Sequence, residues 1–241
     1  MTLCLILASL LALHQNRSKV WANRQNSVIY LETVGIAYAA VPKAACTSVK
    51  LILSQLDPEF VAPTNPQRLR LHKRYRNSRF RLSRWQPCED AFRFTMIRDP
   101  LRRLLAVYTN RVLQAQDLKR SPNLKHGRVD LPMAPDPDYF FQNLQPYMRA
   151  VSSIKHHALP TALFTGRDLG FFDRVYKTDE MEILASDLSR CTGVAVETSH
   201  ANASGVRLDL DDLQPDTRFA IAQFLEEDYA FVNRYFENPF H

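Results

Sequence analysis

The sequence predicts an α/β domain with a mostly parallel central sheet flanked by helices on both faces. Three observations predict it. Short apolar runs of strand type alternate with segments of helical period. Two of those runs, ending near residues 41 and 97, lead directly into loops that open strong helices. The chain has 241 residues, 46% hydrophobic and 23% charged, which suffices for one domain with a sizeable core.

Taken in order, residues 1–26 read as an N-terminal helical segment ahead of a domain spanning 27–241. The apolar run Leu3 to Leu13 is shorter than the roughly 20 residues a bilayer crossing needs. A helix packed on the domain is the expectation, with a cytoplasmic location. An interfacial helix or shortened anchor, giving peripheral membrane contact, is the alternative. "SVIYLETVGIAYAAV" reads as two strands around a turn at Thr33-Val34-Gly35. From Ser48 to Leu56 the pattern is helical, with Val49, Ile52, Leu53 and Leu56 on one face and Asp57-Pro58 as the stop.

Residues 58–91 read as loop-rich and basic. Arg68 to Arg84 carries eight Lys or Arg and no acid. "RFTMI", 93–97, reads as a strand. The next helix has Asp99 as N-cap and Pro100 at its first position. Prolines at 122, 132, 135, 137 and 146 argue against long regular structure in 117–146, a Pro-rich insertion. Helical stretches are expected around 138–157, 180–190 and 215–236, and short strands at "ALFTG" and "RVYKT".

The formal charge of +6 favours an anionic ligand or partner. Four cysteines, at 4, 46, 88 and 191, form no C-x-x-C pair. A reducing compartment fits them better than a disulfide framework. His156 and His157 are adjacent and not i, i+4, so a helical zinc site is unsupported, and no metal is expected.

Two strand-end loops carry chemistry. A strand–loop–helix aims backbone N–H groups and the positive helix end at an anion. The segment Pro42, Lys43, Ala44, Ala45, Cys46, Thr47, Ser48 fits that description, with two hydroxyls and one ammonium. It lacks the G-x-x-x-x-G-K-[ST] pattern that wraps a β-phosphate. A nucleotide whose reactive group lies close to the helix tip fits better than a magnesium-bound triphosphate. Arg98, just before the Asp99-capped helix, can grip a phosphate by two parallel bonds.

"PKAACTSVK" resembles the 5′-phosphosulfate-binding loop of carbohydrate-type sulfotransferases, with their PK-x-x-C-T-[SN]-x-K pattern. "IRDPLRRLLAVY" resembles the same family's second signature, R-D-P-x-x-R-x-x-S-x-Y, which binds a 3′-phosphate. Weaker likeness extends to "KHHALPTALF", "FFDRVYKTDEMEILASDL" and "HANAS", so it runs from about residue 28 to 235. The resemblance implies a three-layer P-loop-like fold, the donor 3′-phosphoadenosine 5′-phosphosulfate, and a hydroxyl acceptor on a carbohydrate or glycolipid. It implies Lys43 beside the leaving oxygen, residues 42–48 around the 5′ end, and Arg98 on the 3′-phosphate. Asn202 and Ser204 are further nucleotide or acceptor contacts. Arg103 matches the pattern and is expected to bond nearby carbonyls. The family's serine is Ala106 here, and Arg102 and Asn110 are nearby replacements.

The acceptor hydroxyl needs a base. His72, in the basic segment, is one candidate, and His157 is its rival, ahead of His156. Glu32 and Asp173 are carboxylate alternatives. Three other readings compete: a degenerate nucleotide-binding homologue, a nucleotide kinase, and a nucleic-acid binder using the 68–84 run with Tyr75, Phe80 and Trp85. The kinase reading predicts magnesium dependence and a glycine-rich loop, neither of which the sequence supports, and the nucleic-acid reading leaves both strand-end loops unexplained.

Overall fold

A computed structural model describes residues 28–60, 68–198 and 206–241. The N-terminal segment, Asn202 and Ser204 lie outside the described residues. A four-stranded sheet organises the rest, in the order β1 (Ile29–Leu31), β2 (Ile36–Ala39), β3 (Phe92–Ile97), β4 (Arg174–Lys177). β1 pairs antiparallel to β2, while β2–β3 and β3–β4 are parallel. The expected turn between β1 and β2 is a 3-10 turn, Glu32–Val34, closed by Gly35 at φ 63. That left-handed value suits glycine, which has no Cβ to clash.

Alternation along β2 divides the core. Ile36 and Tyr38 face one side, where they meet Val49, Ile52 and Leu53 of α1 (Cys46–Leu56). Phe94, Met96 and Tyr176 share that side with Leu184 and Leu188, which belong to the later helix Met181–Thr192. Ala37 and Ala39 face the other side, against Trp85, Cys88 and Phe172. A short helix, α2 (Arg68–Arg74), lies in the basic segment where the sequence reads as loop. Leu71 and Tyr75, one turn apart, drop into the core against α1.

α3 (Pro100–Val107) starts as expected, with Asp99 accepting from the Arg102 N–H and Pro100 at its first position. It continues into a π-helical stretch, Tyr108–Gln114. The Pro-rich region forms short helices rather than a bare loop: α4 (Asp117–Arg120), α5 (Pro122–Lys125) and α6 (Pro137–Gln142). α7 (Leu144–Ala150), α8 (Ser152–Ala158) and α9 (Ala162–Thr165) follow. "ALFTG" is therefore helical and not a strand, because Thr161 opens a turn in which Phe164 and Thr165 bond back to its carbonyl. α10 (Met181–Thr192) ends at Gly193 in the left-handed region, and α11 (Pro215–Val232) closes the domain.

A second core joins α3 to α6, α7, α8 and α11 through Leu104, Leu105, Tyr108, Phe140, Tyr147, Ile154, Ile221 and Leu225. One ion pair crosses it. Arg103 and Asp228 meet at 2.6 Å, with only 2% and 3% of their side chains exposed. Arg103 also donates to the Leu159 carbonyl, and Asp228 accepts from the Thr161 N–H. Arg103 thus ties α3 to the α8–α9 connection, as the sequence reading expected. Among the described residues no helix is long and apolar enough to cross a membrane.

Removing one partner of this pair leaves an uncompensated buried charge. Asp228→Ala is expected to lower unfolding free energy by about 3–5 kcal/mol. Chemical denaturation of the two proteins measures the loss.

Candidate active site

The parallel register of β2 and β3 sets Ala39 opposite Thr95, so both carboxyl-end loops leave the sheet side by side. After β2 the chain passes through buried Val41 and Pro42 into a tight turn. Lys43 and Ala45 take positive φ, 65 and 50, on either side of Ala44. Such alternation turns successive N–H groups toward one concave point, an anion-binding nest. For residues other than glycine it costs about 1–3 kcal/mol each. The turn is held from beneath, where fully buried Val41 and Ala44 pack on Leu159 and Phe164. A larger side chain than alanine at 44 would not fit, which accounts for the run of small residues.

Ala45 then serves as N-cap of α1 without any side-chain cap. Cys46, Thr47 and Ser48, the first-turn residues, have N–H groups with no acceptor inside the helix. The Ala44 N–H is not among the available donors, since it closes the turn on the Val41 carbonyl at 3.3 Å. Of the backbone N–H groups in residues 42–48, that of Ala44 is therefore spent within the turn.

Three cations converge on the turn. The half-buried Lys43 ammonium donates to Oδ1 of Asn110. Burial, followed by the Arg111 charge, pulls its pKa from the ordinary lysine value down to about 7. Arg98 donates to the Lys43 carbonyl at 3.3 Å, linking the two loops directly. Burial also lowers the Arg98 pKa. Arg111 leans on Asp117 at 3.4 Å while its buried Nε has no partner among the described residues.

Asn110 and Arg111 project from the π-helical stretch, where the Ala115 N–H reaches back to the Asn110 carbonyl. Arg98, Arg102, Ala106 and Asn110 are spaced four apart. Of the two nearby replacements for the family serine, Arg102 is occupied by Asp209 and Asn110 faces Lys43.

His72 lies over α1. Its Nε2 is 3.3 Å from the Thr47 hydroxyl, and its Nδ1 is 3.2 Å from Nζ of Lys50. Lys50 is fully buried and also donates to Oδ1 of Asn77. α2 is fixed there by Asp57, which accepts from the Tyr75 hydroxyl at 2.7 Å and pairs with Arg74 at 3.1 Å. His157 lies within electrostatic reach of Arg111 and Lys43. Its Nδ1–H donates to the Ser153 carbonyl at 2.8 Å. Burial and then Arg111 push its pKa to about 3. His156 packs edge-on against Phe164, and its pKa is lowered by burial and by Lys50.

The carboxylate alternatives are far from this point. Glu32 is in the β1–β2 turn, and Asp173 accepts from the Arg93 N–H at the start of β3. Both lie at the opposite end of the sheet, so neither can serve a reaction at the Lys43 turn. Among the described residues no group of His, Cys, Asp or Glu is arranged to hold a metal ion.

Sequence reasoning gave no part to Lys50, Asn77 or Arg111. Lys50 ends the quoted "PKAACTSVK" stretch, and a lysine within the apolar run Val49–Leu53 was the available signal. Asn77 had none. A small cleft is lined by Tyr38, Ala40, Arg76, Arg79, Phe80 and Phe164, the last of which also packs under the turn. The buried Tyr38 hydroxyl has no hydrogen-bond partner among the described residues.

No curated protein and no solved structure matches the chain. The model of the Sulfotransferase family matches residues 26–229, a span that contains both strand-end loops. An N–H nest on a helix tip with a lysine and an arginine beside it is the equipment for holding an anionic group during transfer, and the chain belongs to the sulfotransferase family.

Proposed function

We propose that the protein transfers a sulfuryl group from 3′-phosphoadenosine 5′-phosphosulfate to a hydroxyl on a carbohydrate or glycolipid. One observation carries this reading: the glycine-free turn between β2 and α1 has its lysine and the Arg98 guanidinium joined within one hydrogen bond. Free N–H groups of Ala45 to Ser48 and the Thr47 and Ser48 hydroxyls receive the 5′ end. Arg98 receives the 3′-phosphate.

In the reaction the acceptor oxygen forms a bond to sulfur as the bond from sulfur to the bridging oxygen breaks. Negative charge grows on the bridging oxygen, which leaves with the nucleotide phosphate. Lys43 meets that charge. Its ammonium stands in a half-buried site, where such stabilisation is worth roughly 3–4 kcal/mol. The acceptor proton passes to a base, for which His72 and His157 are the candidates. The cleft with Arg76 and Arg79 and the basic 68–84 segment border the acceptor side.

The donor anion also sets the protonation of Lys43. With its pKa near 7, part of the population is neutral before binding. An anion favours the charged form, so binding takes up a proton. Affinity for adenosine 3′,5′-bisphosphate therefore strengthens as pH falls through about 7. Calorimetric titrations across that range are expected to show this trend in the wild type and a weaker one in Lys43→Met.

The roles of the two cations separate by mutation. Lys43→Ala is expected to lose transfer by about 10²–10³ while keeping much of its bisphosphate affinity. Arg98→Ala is expected to lose mainly that affinity. Wild-type transfer in Lys43→Ala would overturn the lysine's role. Thermal shift with the bisphosphate, against ATP-magnesium and single-stranded DNA, separates the kinase and nucleic-acid readings.

Ala106 favours one second reading, a homologue that binds nucleotide without transferring sulfate. Ala106→Ser is expected to strengthen bisphosphate binding up to about tenfold. Bisphosphate binding with no sulfate passed to any acceptor in a labelled-donor screen would establish that second reading.

A further inference from the structure

Lys50 has no part in the chemistry above, yet it is a fully buried lysine whose amine reaches the same site. It sits one helical turn after Thr47 on α1, so both touch the single ring of His72, one at each nitrogen. The orientation of Asn77 limits what Lys50 can do. The Asn77 amide nitrogen is 3.9 Å from the Cys46 sulfur, which leaves Oδ1 facing Lys50 as an acceptor. Lys50 therefore donates to Asn77. Burial lowers the Lys50 pKa, and in its ammonium form, which carries donors only, Lys50 donates to Nδ1 of His72 as well.

A neutral imidazole that accepts at Nδ1 carries its proton at Nε2. That Nε2–H points to the Thr47 hydroxyl, at the tip of α1. We propose that Lys50 is a positioning residue that locks His72 in its Nε2–H tautomer, so that His72 meets the anion on the α1 tip as a neutral hydrogen-bond donor and not as the base. A neutral imidazole acting as donor to developing negative charge is an established catalytic device.

The two histidines are then opposite tautomers. His157 spends its Nδ1–H on the Ser153 carbonyl, which leaves a lone pair on Nε2. Of the two rings it is the one with a lone pair at Nε2, while burial opposes its protonation. The inference rests on the sulfotransferase reading for the identity of the anion. The tautomer itself does not depend on that reading.

The test separates the two. Histidine-selective ¹⁵N NMR at a pH near 8, where a free imidazole is neutral, assigns the proton to one nitrogen. His72→Gln identifies the resonance. The wild type is expected to show His72 protonated at Nε2. Lys50→Arg, still a pure donor, is expected to keep that state, and Lys50→Met to mix the tautomers. A wild-type proton on Nδ1, or no change in Lys50→Met, overturns the proposal. The wild-type spectrum decides alone should Lys50→Met fail to fold.

A second arm uses transfer activity. The glutamine amide can replace an Nε2–H donor but not a base. His72→Gln is expected to retain at least tenfold more activity than His72→Ala. Equal losses in the two, of the 10²–10⁴ size expected for a missing base, also overturn it. A correct tautomer in a protein that fails to bind the bisphosphate would instead count against the sulfotransferase reading alone.

Discussion

The site depends on a left-handed turn made without glycine. Lys43 and Ala45 hold positive φ values that L residues adopt at a cost, and the surroundings supply what keeps them there. Val41 and Ala44 are fully buried on Leu159 and Phe164, so the turn cannot relax outward without exposing apolar surface or inward without a clash. Arg98 adds a hydrogen bond to the Lys43 carbonyl from the neighbouring loop. The result is a rigid cradle whose N–H groups are aimed before any ligand arrives, as electrostatic stabilisation of an anion requires.

The helical half of the molecule bears on that cradle through Arg103. Its guanidinium joins α3 to Asp228 of α11 and to the Leu159 carbonyl, and Leu159 is itself part of the floor under the turn. A family-signature arginine thus acts on packing and not on substrate. Asp99 has a similar double task. It caps α3 through the Arg102 N–H and accepts from the Tyr229 hydroxyl on α11, which fixes the direction in which Arg98 leaves β3.

Electrostatics around the turn are unbalanced in a way that suits an anionic ligand. Burial first, and then the charges of Arg111 and Arg98, depress the Lys43 pKa, and the carboxylate that offsets these cations is Asp117. Accumulated positive charge of this kind destabilises the free protein and is relieved by a bound anion. The π-helical stretch that carries Asn110 and Arg111 fits the same pattern. Its wider turn departs from the regular α ladder at the place where two polar side chains reach the site.

The sequence by itself determined the strand–loop–helix units, because they are written in local terms. Period-2 and period-3.6 patterning, the Asp99-Pro100 start and the Gly193 stop were all legible, and so was the place of residues 42–48 between a strand and a helix. Only the tertiary structure decided what depends on residues distant in the chain. It made "ALFTG" a helix, turned part of the basic loop into α2, and set Glu32 and Asp173 at the wrong end of the sheet. It brought Asn110 to Lys43 and seated His72 between Thr47 and Lys50. Those partners lie 67 and about 20 to 25 residues apart, and no local periodicity encodes which side chains meet once sheet register and helix packing are set.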